Sequence, residues 1–230
     1  INEGDWSSDV CSSDLVFKND FWTYFLNSVV VTVATVSIIL VVSFMAAYVI
    51  VRSRTAFSSR IFSLFLLGIA IPIQATIVPV YYLIVQIGLY DTLWALILPS
   101  AAFAIPISVL ILTNFLRDVP RELFESMKVD GATDWQMLWR LAAPMCRPAL
   151  VTVAIYDALN VWNGFLFPLV LTQSADNRVL PLSLWSFQGA FSANTPAILA
   201  AVVLSALPLI VAYAFGRRQM VAGLTAGVGK

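Results

Sequence analysis

The chain has 230 residues, 60% of them hydrophobic and 11% charged, whereas soluble domains run near about 45–50% and about 25%. A folded soluble surface is already mostly apolar, so a chain this short cannot hide the excess in water, and lipid must be the solvent for most of it. Thirteen basic and thirteen acidic residues cancel, histidine is absent, and Cys11 and Cys146 are far apart, which argues against nucleic-acid, metal and disulfide frameworks.

Residues 1–15 (INEGDWSSDVCSSDL) are acidic and serine-rich, with no signal-peptide pattern, and read as a foreign or truncated leader ahead of a domain at 16–230. Apolar runs follow, uncharged except for Asp157 in the fourth, each long enough for the ~20 residues a helix needs to cross the hydrocarbon core. They predict five spans, roughly 24–51, 61–87, 92–116, 149–171 and 197–216. The runs are too long and too unalternating for barrel strands. The expected fold is all-α, a polytopic transmembrane helical bundle. Pro72 and Pro79 in the second span and Pro99 and Pro106 in the third predict kinks, either for packing or for motion.

Arg52, Arg54 and Arg60 follow the first span, five basic residues lie between the third and fourth, and Arg217, Arg218 and Lys230 follow the fifth. The other side holds only Lys18 and Arg178. This asymmetry places the 52–60 and 117–147 loops and the C-terminus in the cytoplasm. The N-terminus then falls outside, and a missing first span would repair that.

The 117–147 loop is patterned. Asp118 and Pro120 start a short helix with Val119, Leu123 and Met127 on one face and Glu122, Glu125 and Lys128 on the other. Gly131 suits its left-handed cap. Thr133 to Gln136 fits a capping box that opens a second helix, with Trp135, Leu138 and Trp139 as its apolar stripe and Pro144 as its limit. Such a pair either rests on lipid headgroups or forms a docking surface for a cytoplasmic partner.

Glu125-Ser-Met-Lys-Val-Asp130-Gly131, then nine residues, then Leu141-Ala-Ala-Pro144 resembles the EAA motif of ABC-importer permeases, with Ser126 and Met127 in place of two alanines. Trp162-Asn163, Phe165, Pro168-Leu169, Leu207-Pro208 and Gly223-Leu-Thr-Ala-Gly227 are similar to carbohydrate-uptake permeases, nearest in type to the smaller permease of maltose transporters. That family has six spans in this subunit, in accord with a lost first one.

The resemblance implies a sugar or oligosaccharide importer in the bacterial cytoplasmic (inner) membrane. It implies a second homologous permease, a cytoplasmic ABC ATPase dimer and an extracytoplasmic sugar-binding protein as partners. ATP and Mg would sit on the ATPase, leaving this chain with no cofactor and no enzymatic chemistry. The segment Gly227-Val-Gly229-Lys230 does not fit a P-loop, since Leu224 stands where glycine is needed. Glu125, Asp130, Gly131 and Ala132 would centre the ATPase contact, with Leu123, Phe124 and Met127 as apolar anchor and Arg121, Glu125 and Lys128 as charged rim. The polar outer loop at 172–195 would meet the binding protein, or is simply an exposed loop.

Asp157 is the single charge inside a predicted span. Asn160 follows on the same face, with Trp162 and Asn163 close by, so this stripe should face the bundle interior. It marks either a translocation pathway suited to sugar hydroxyls or interhelical hydrogen bonding. An ATP-independent secondary transporter or channel built on Asp157 is the alternative function.

Overall fold

The computed structural model describes residues 21–53 and 55–183, together with scattered positions between 199 and 210. Among these residues the structure is helical, with no strand. The first helix, α1 (Phe21–Ser53), is 33 residues long. At 1.5 Å per residue it extends about 50 Å, well beyond a hydrocarbon core of about 30 Å. Its buried face carries Ser28, Thr32, Thr35 and Ser43 at helical spacing, while Trp22, Val33 and Val49 on the other face are exposed, as lipid solvent allows. Small hydroxyl side chains let α1 lie close against α4 (Trp94–Arg117), its main partner in the bundle.

The expected second span is not one rod. It is broken into α2 (Ala56–Ile69) and α3 (Ile73–Gln86), bent by 102°. Pro72 is the N-cap of α3 in an extended conformation, and its ring and missing N–H stop the helix from running on. Each half has 14 residues, about 21 Å, too short to span alone. Gly68 of α2 passes Pro106 of α4 so closely that a Cβ there would lie 3.1 Å from the proline Cγ. By contrast α4 is continuous through Pro99 and Pro106. Its bounds agree with the third expected span.

After α4 come α5 (Arg121–Val129) and α6 (Asp134–Met137). The chain continues from α6 through a π turn (Leu138–Ala142) and α7 (Ala143–Met145). The fourth expected span is then also interrupted. It comprises α8 (Arg147–Trp162) and α9 (Leu166–Leu171), separated at 163–165. Gly164 sits where a Cβ would be 3.0 Å from the Val161 carbonyl oxygen, so the chain turns there without a side chain. A short 3-10 turn (Ala175–Asn177) and α10 (Leu180–Ser183) follow. The fifth expected span lies outside the described residues except for scattered helical positions, and the leader at 1–15 lies outside them entirely.

Two cores result. Toward the predicted cytoplasmic side, Phe44 and Tyr48 of α1 and Leu112 and Leu116 of α4 enclose Phe124, Met137 and Val153. Toward the opposite side, Val31, Leu96, Phe167 and Leu171 form the second cluster.

Candidate functional site

The loop helix α5 ends in a complete left-handed cap. Gly131 has φ +81°. Its N–H donates to the Lys128 carbonyl at 3.1 Å, and the Ala132 N–H donates to the Met127 carbonyl at 2.9 Å. This pair of bonds is the Schellman arrangement, and the positive φ favours glycine. The reciprocal capping box then starts α6. Thr133 N–H donates to Gln136 Oε1 at 2.9 Å, and Gln136 N–H donates to Thr133 Oγ1 at 3.3 Å. The bend between the two loop helices is thus held by four local bonds.

The inward stripe of α5 differs from the expected one. Phe124, not Leu123, is turned into the core, where it is 3% exposed. Its ring lies 6.2 Å from that of Tyr48, and the Arg52 guanidinium stands 4.6 Å above it. Phe124 is therefore unavailable as a surface anchor, because α5 begins only after Pro120 and this sets its phase. Met127 and Ala132 are half-buried against the same core. Arg121, Leu123, Glu125, Lys128, Asp130 and Gly131 are exposed. A cavity of about 630 Å³ separates α5 from the ends of α1, α2 and α4, with Arg52, Arg117, Arg121 and Glu125 on its walls.

In the second loop helix, Met137, Leu138 and Ala142 are the buried positions, while Trp135 and Trp139 are exposed and meet edge to face at 5.7 Å. The expected Trp135–Leu138–Trp139 stripe is therefore replaced. Pro144 does not end the helix either. The π turn just before it widens the backbone ahead of the ring, and the break falls at Cys146, where the axis turns by 78° into α8. Burial pushes the Cys146 thiol up to about 11, so it is an inert part of the core.

Asp157 is 1% exposed on α8. Its Oδ2 accepts a hydrogen bond of 2.8 Å from Ser108 Oγ of α4. Its Oδ1 has no hydrogen-bond partner among the described residues. It lines a cavity of about 270 Å³ together with Asn160 and Trp162 and with Ser28 and Thr32 of α1. Asn163 is not part of that wall. Its amide donates to the Leu159 carbonyl at 2.8 Å, and Asn160 similarly donates to Tyr156 at 2.8 Å. Trp162 is held by its indole N–H, which donates to the Ser205 carbonyl at 3.1 Å, and by an edge contact with Phe25 at 5.9 Å.

The segment following α9 is fastened to its neighbours on both sides. Asp91, at φ +57°, accepts from the backbone N–H of Gln173 at 2.8 Å and of Ser174 at 3.1 Å. Asn177 donates to the Asp91 carbonyl at 2.6 Å, and Asn27 donates to the carbonyls of Asp176 and Arg178 at 2.7 and 2.9 Å. Burial works to raise the Asp91 pKa, but the hydrogen bonds from Gln173, Ser174 and Asn177 outweigh it and hold the carboxyl below the usual range. The described part of the expected outer loop, 172–183, is thus a clasped structure.

Sequence reasoning missed Ser28, Thr32, Ser108 and Asp91. The hydroxyls at 28, 32, 35 and 43 recur at helical spacing on an otherwise apolar run, and that periodicity was their signal. Asp91 had none, because its role depends on a segment 82 positions away.

Residues 39–220 match the family described as the binding-protein-dependent transport system inner membrane component. ORF2 of Caldicellulosiruptor sp. (strain Rt8B.4), described as an ABC transporter permease protein, is 42% identical over 215 residues, covering 94% of this chain and 78% of that protein. The arabinooligosaccharides transport system permease protein AraQ of Halalkalibacterium halodurans is 31% identical over 207 residues, covering 90% of this chain and 74% of its own length. Among solved structures, a bacterial ABC transporter involved in the import of the acidic polysaccharide alginate is similar in fold, with a TM-score of 0.79 at 20% identity over 91% of this chain and 79% of that one. The clasped helices, the capped loop and these matches lead to one conclusion: the chain belongs to the inner-membrane permease components of binding-protein-dependent ABC import systems.

Proposed function

We propose that this permease moves a sugar or oligosaccharide into the cytoplasm by ATP-driven alternating access, with the loop at 117–147 as the coupling site for a separate ATPase. The observation that carries the reading is the loop's construction. Its inner face is locked to α1 through Phe124, while Arg121, Leu123, Glu125 and Lys128 of α5 remain exposed. An exposed apolar residue on a helix that also carries exposed charges is what a transient partner contact uses. Leu123 takes the anchoring role that Phe124 cannot. Glu125, Asp130, Gly131 and Ala132 lie at the tip of the contact, and Pro144 shapes the return into the membrane. Displacement of α5 by the ATPase would be passed through Phe124 to Tyr48 and Arg52, and so to α1.

ATP and Mg belong to the ATPase dimer in this reading, a second homologous permease completes the pathway, and a sugar-binding protein delivers cargo to the outer face near 172–183. The C-terminus lies in the cytoplasm with the loop. The sugar assignment is supported by the carbohydrate named for the AraQ relative. Asp157, Asn160 and Trp162 line the pathway, with Asn163 at its edge. The ATP-independent carrier once compatible with Asp157 finds no support in the family.

Co-purification tests the reading. The permease, co-expressed with its cognate ATPase, should retain the ATPase in detergent extracts. Glu125→Lys combined with Gly131→Pro should lose it at unchanged membrane level. Retention of the ATPase by that variant would remove the coupling assignment.

A further inference from the structure

The cavity beside Asp157 is lined by two residues with polar atoms whose hydrogen bonds the described residues do not complete. Among the described residues, Asp157 Oδ1 and Thr32 Oγ1 are both buried and both without a partner, and both residues line this same space. Asp157 is 1% and Thr32 8% exposed, so bulk water does not satisfy them. Leaving such atoms unpaired costs free energy in the resting chain. The rest of the wall is mainly apolar and aromatic, with Phe103 offering a ring, Ser100 a further hydroxyl and Asn160 an amide.

Resting on the importer reading above, we propose that this cavity is a subsite for one ring of a neutral or amino-substituted sugar, hydrogen-bonded by Asp157 Oδ1 and Thr32 Oγ1. A sugar ring supplies donors at its rim, which the carboxyl oxygen needs, and a C–H face that suits Phe103. A hard cation fits poorly, because it calls for about six to eight oxygen ligands and most of this wall has none. Among the described residues the lining contains one acid and no Lys or Arg. A ring carboxylate would therefore be buried beside Asp157 without a counter-charge, so uronates are disfavoured.

Thr35 provides the control. Its hydroxyl is equally buried and unpartnered on α1, but it does not line the cavity. Thr32→Val and Thr35→Val each replace an unpaired hydroxyl by a methyl of the same shape, so both should leave the unfolding temperature equal or higher. The full-length permease is reconstituted in liposomes with its partner permease, ATPase and binding protein. Uptake of radiolabelled arabinotriose, diacetylchitobiose and trehalose is then measured. For whichever probe the wild type imports, Thr32→Val should raise KM about tenfold, the weight of one hydrogen bond, and Thr35→Val should leave it unchanged. Asp157→Asn, which loses an acceptor while retaining an oxygen for Ser108, should raise KM to a similar degree. A KM unchanged in Thr32→Val, or raised equally by both threonine variants, overturns the subsite. Failure of an ATPase-bound wild-type complex to import any of the three probes would instead remove the sugar reading on which the subsite rests.

Discussion

Ser108 Oγ donates to Asp157 Oδ2 at 2.8 Å, joining α4 to α8 across 49 positions of chain. Ser108 Oγ also lies 3.0 Å from the Ala104 carbonyl of its own helix, so a single hydroxyl proton is shared between two acceptors. An interhelical hydrogen bond in a membrane contributes little on its own, about 0.6 kcal/mol. Removing it here is costlier, since both carboxyl oxygens would then be buried unpaired. Ser108→Ala is expected to lower stability by about 1–3 kcal/mol, read as a drop in the unfolding temperature of the purified permease complex. Asp157→Asn keeps an acceptor for Ser108 and should support more uptake than Asp157→Leu. Equal uptake by the two Asp157 variants would show that hydrogen bonding is not its role.

Phe124 and Leu123 are neighbours with opposite duties. Phe124 is 3% exposed beneath Arg52, whereas Leu123 is 38% exposed. Phe124→Ala should destabilise the chain by about 3–5 kcal/mol through the cavity it leaves. Leu123→Ala should change stability by less than about 0.5 kcal/mol while reducing ATPase recovery in co-purification. Thermal unfolding and pull-down of the two variants side by side check the phase of α5. The reverse pattern would mean that α5 is rotated from the orientation described.

Gly131 carries the bend of the loop at φ +81°. A Cβ there meets nothing within 4 Å, so the constraint is conformational and not one of space. Gly131→Ala should cost about 1–2 kcal/mol, and Gly131→Asn less, because asparagine tolerates the left-handed region. Gly131→Pro cannot adopt it and also loses the N–H that donates to Lys128, so transport should be abolished while insertion persists. Uptake assays with membrane-level blots decide this. Wild-type uptake by Gly131→Pro would exclude the bend as a coupling element.

The Asp91 clasp should be acid-sensitive. A carboxyl held below its usual value contributes stability that is fully present above the unfolded pKa of about 3.9. The contribution shrinks as the pH falls below that value and is gone once the pH passes the depressed folded value. Hydrogen exchange at the Gln173 and Ser174 amides should therefore be slow at neutral pH and lose protection as the carboxyl protonates. Asp91→Asn keeps an acceptor and tolerates φ +57°, yet should remove this pH dependence from the two amides. Protection that falls identically in the variant would assign the acid sensitivity to another group.

Membrane residence, the position of α4 and the two loop helices with their caps could be read from residues in order. Each depends on local patterns: an uncharged run, a glycine two residues past a short helix, a threonine three residues before a glutamine. Span continuity could not be read that way. Pro99 and Pro106 lie inside a continuous helix, whereas Pro72 stands at a 102° bend. Hydropathy sees the same apolar run in both cases, and the outcome depends on what packs around the proline.

The order and composition of the residues alone determined that this chain lives in lipid, that it is helical, and that its informative segment is a patterned polar loop. These follow from solvent transfer and from backbone rules acting within a few turns. Only the tertiary structure decided that Phe124 faces inward and Leu123 outward, that Asp157 meets Ser108 and lines one cavity with Thr32, and that Asp91 holds the segment after α9. Those pairings join positions far apart in sequence, and they are set by how helices with similar apolar faces settle against one another, which a linear hydropathy pattern does not encode.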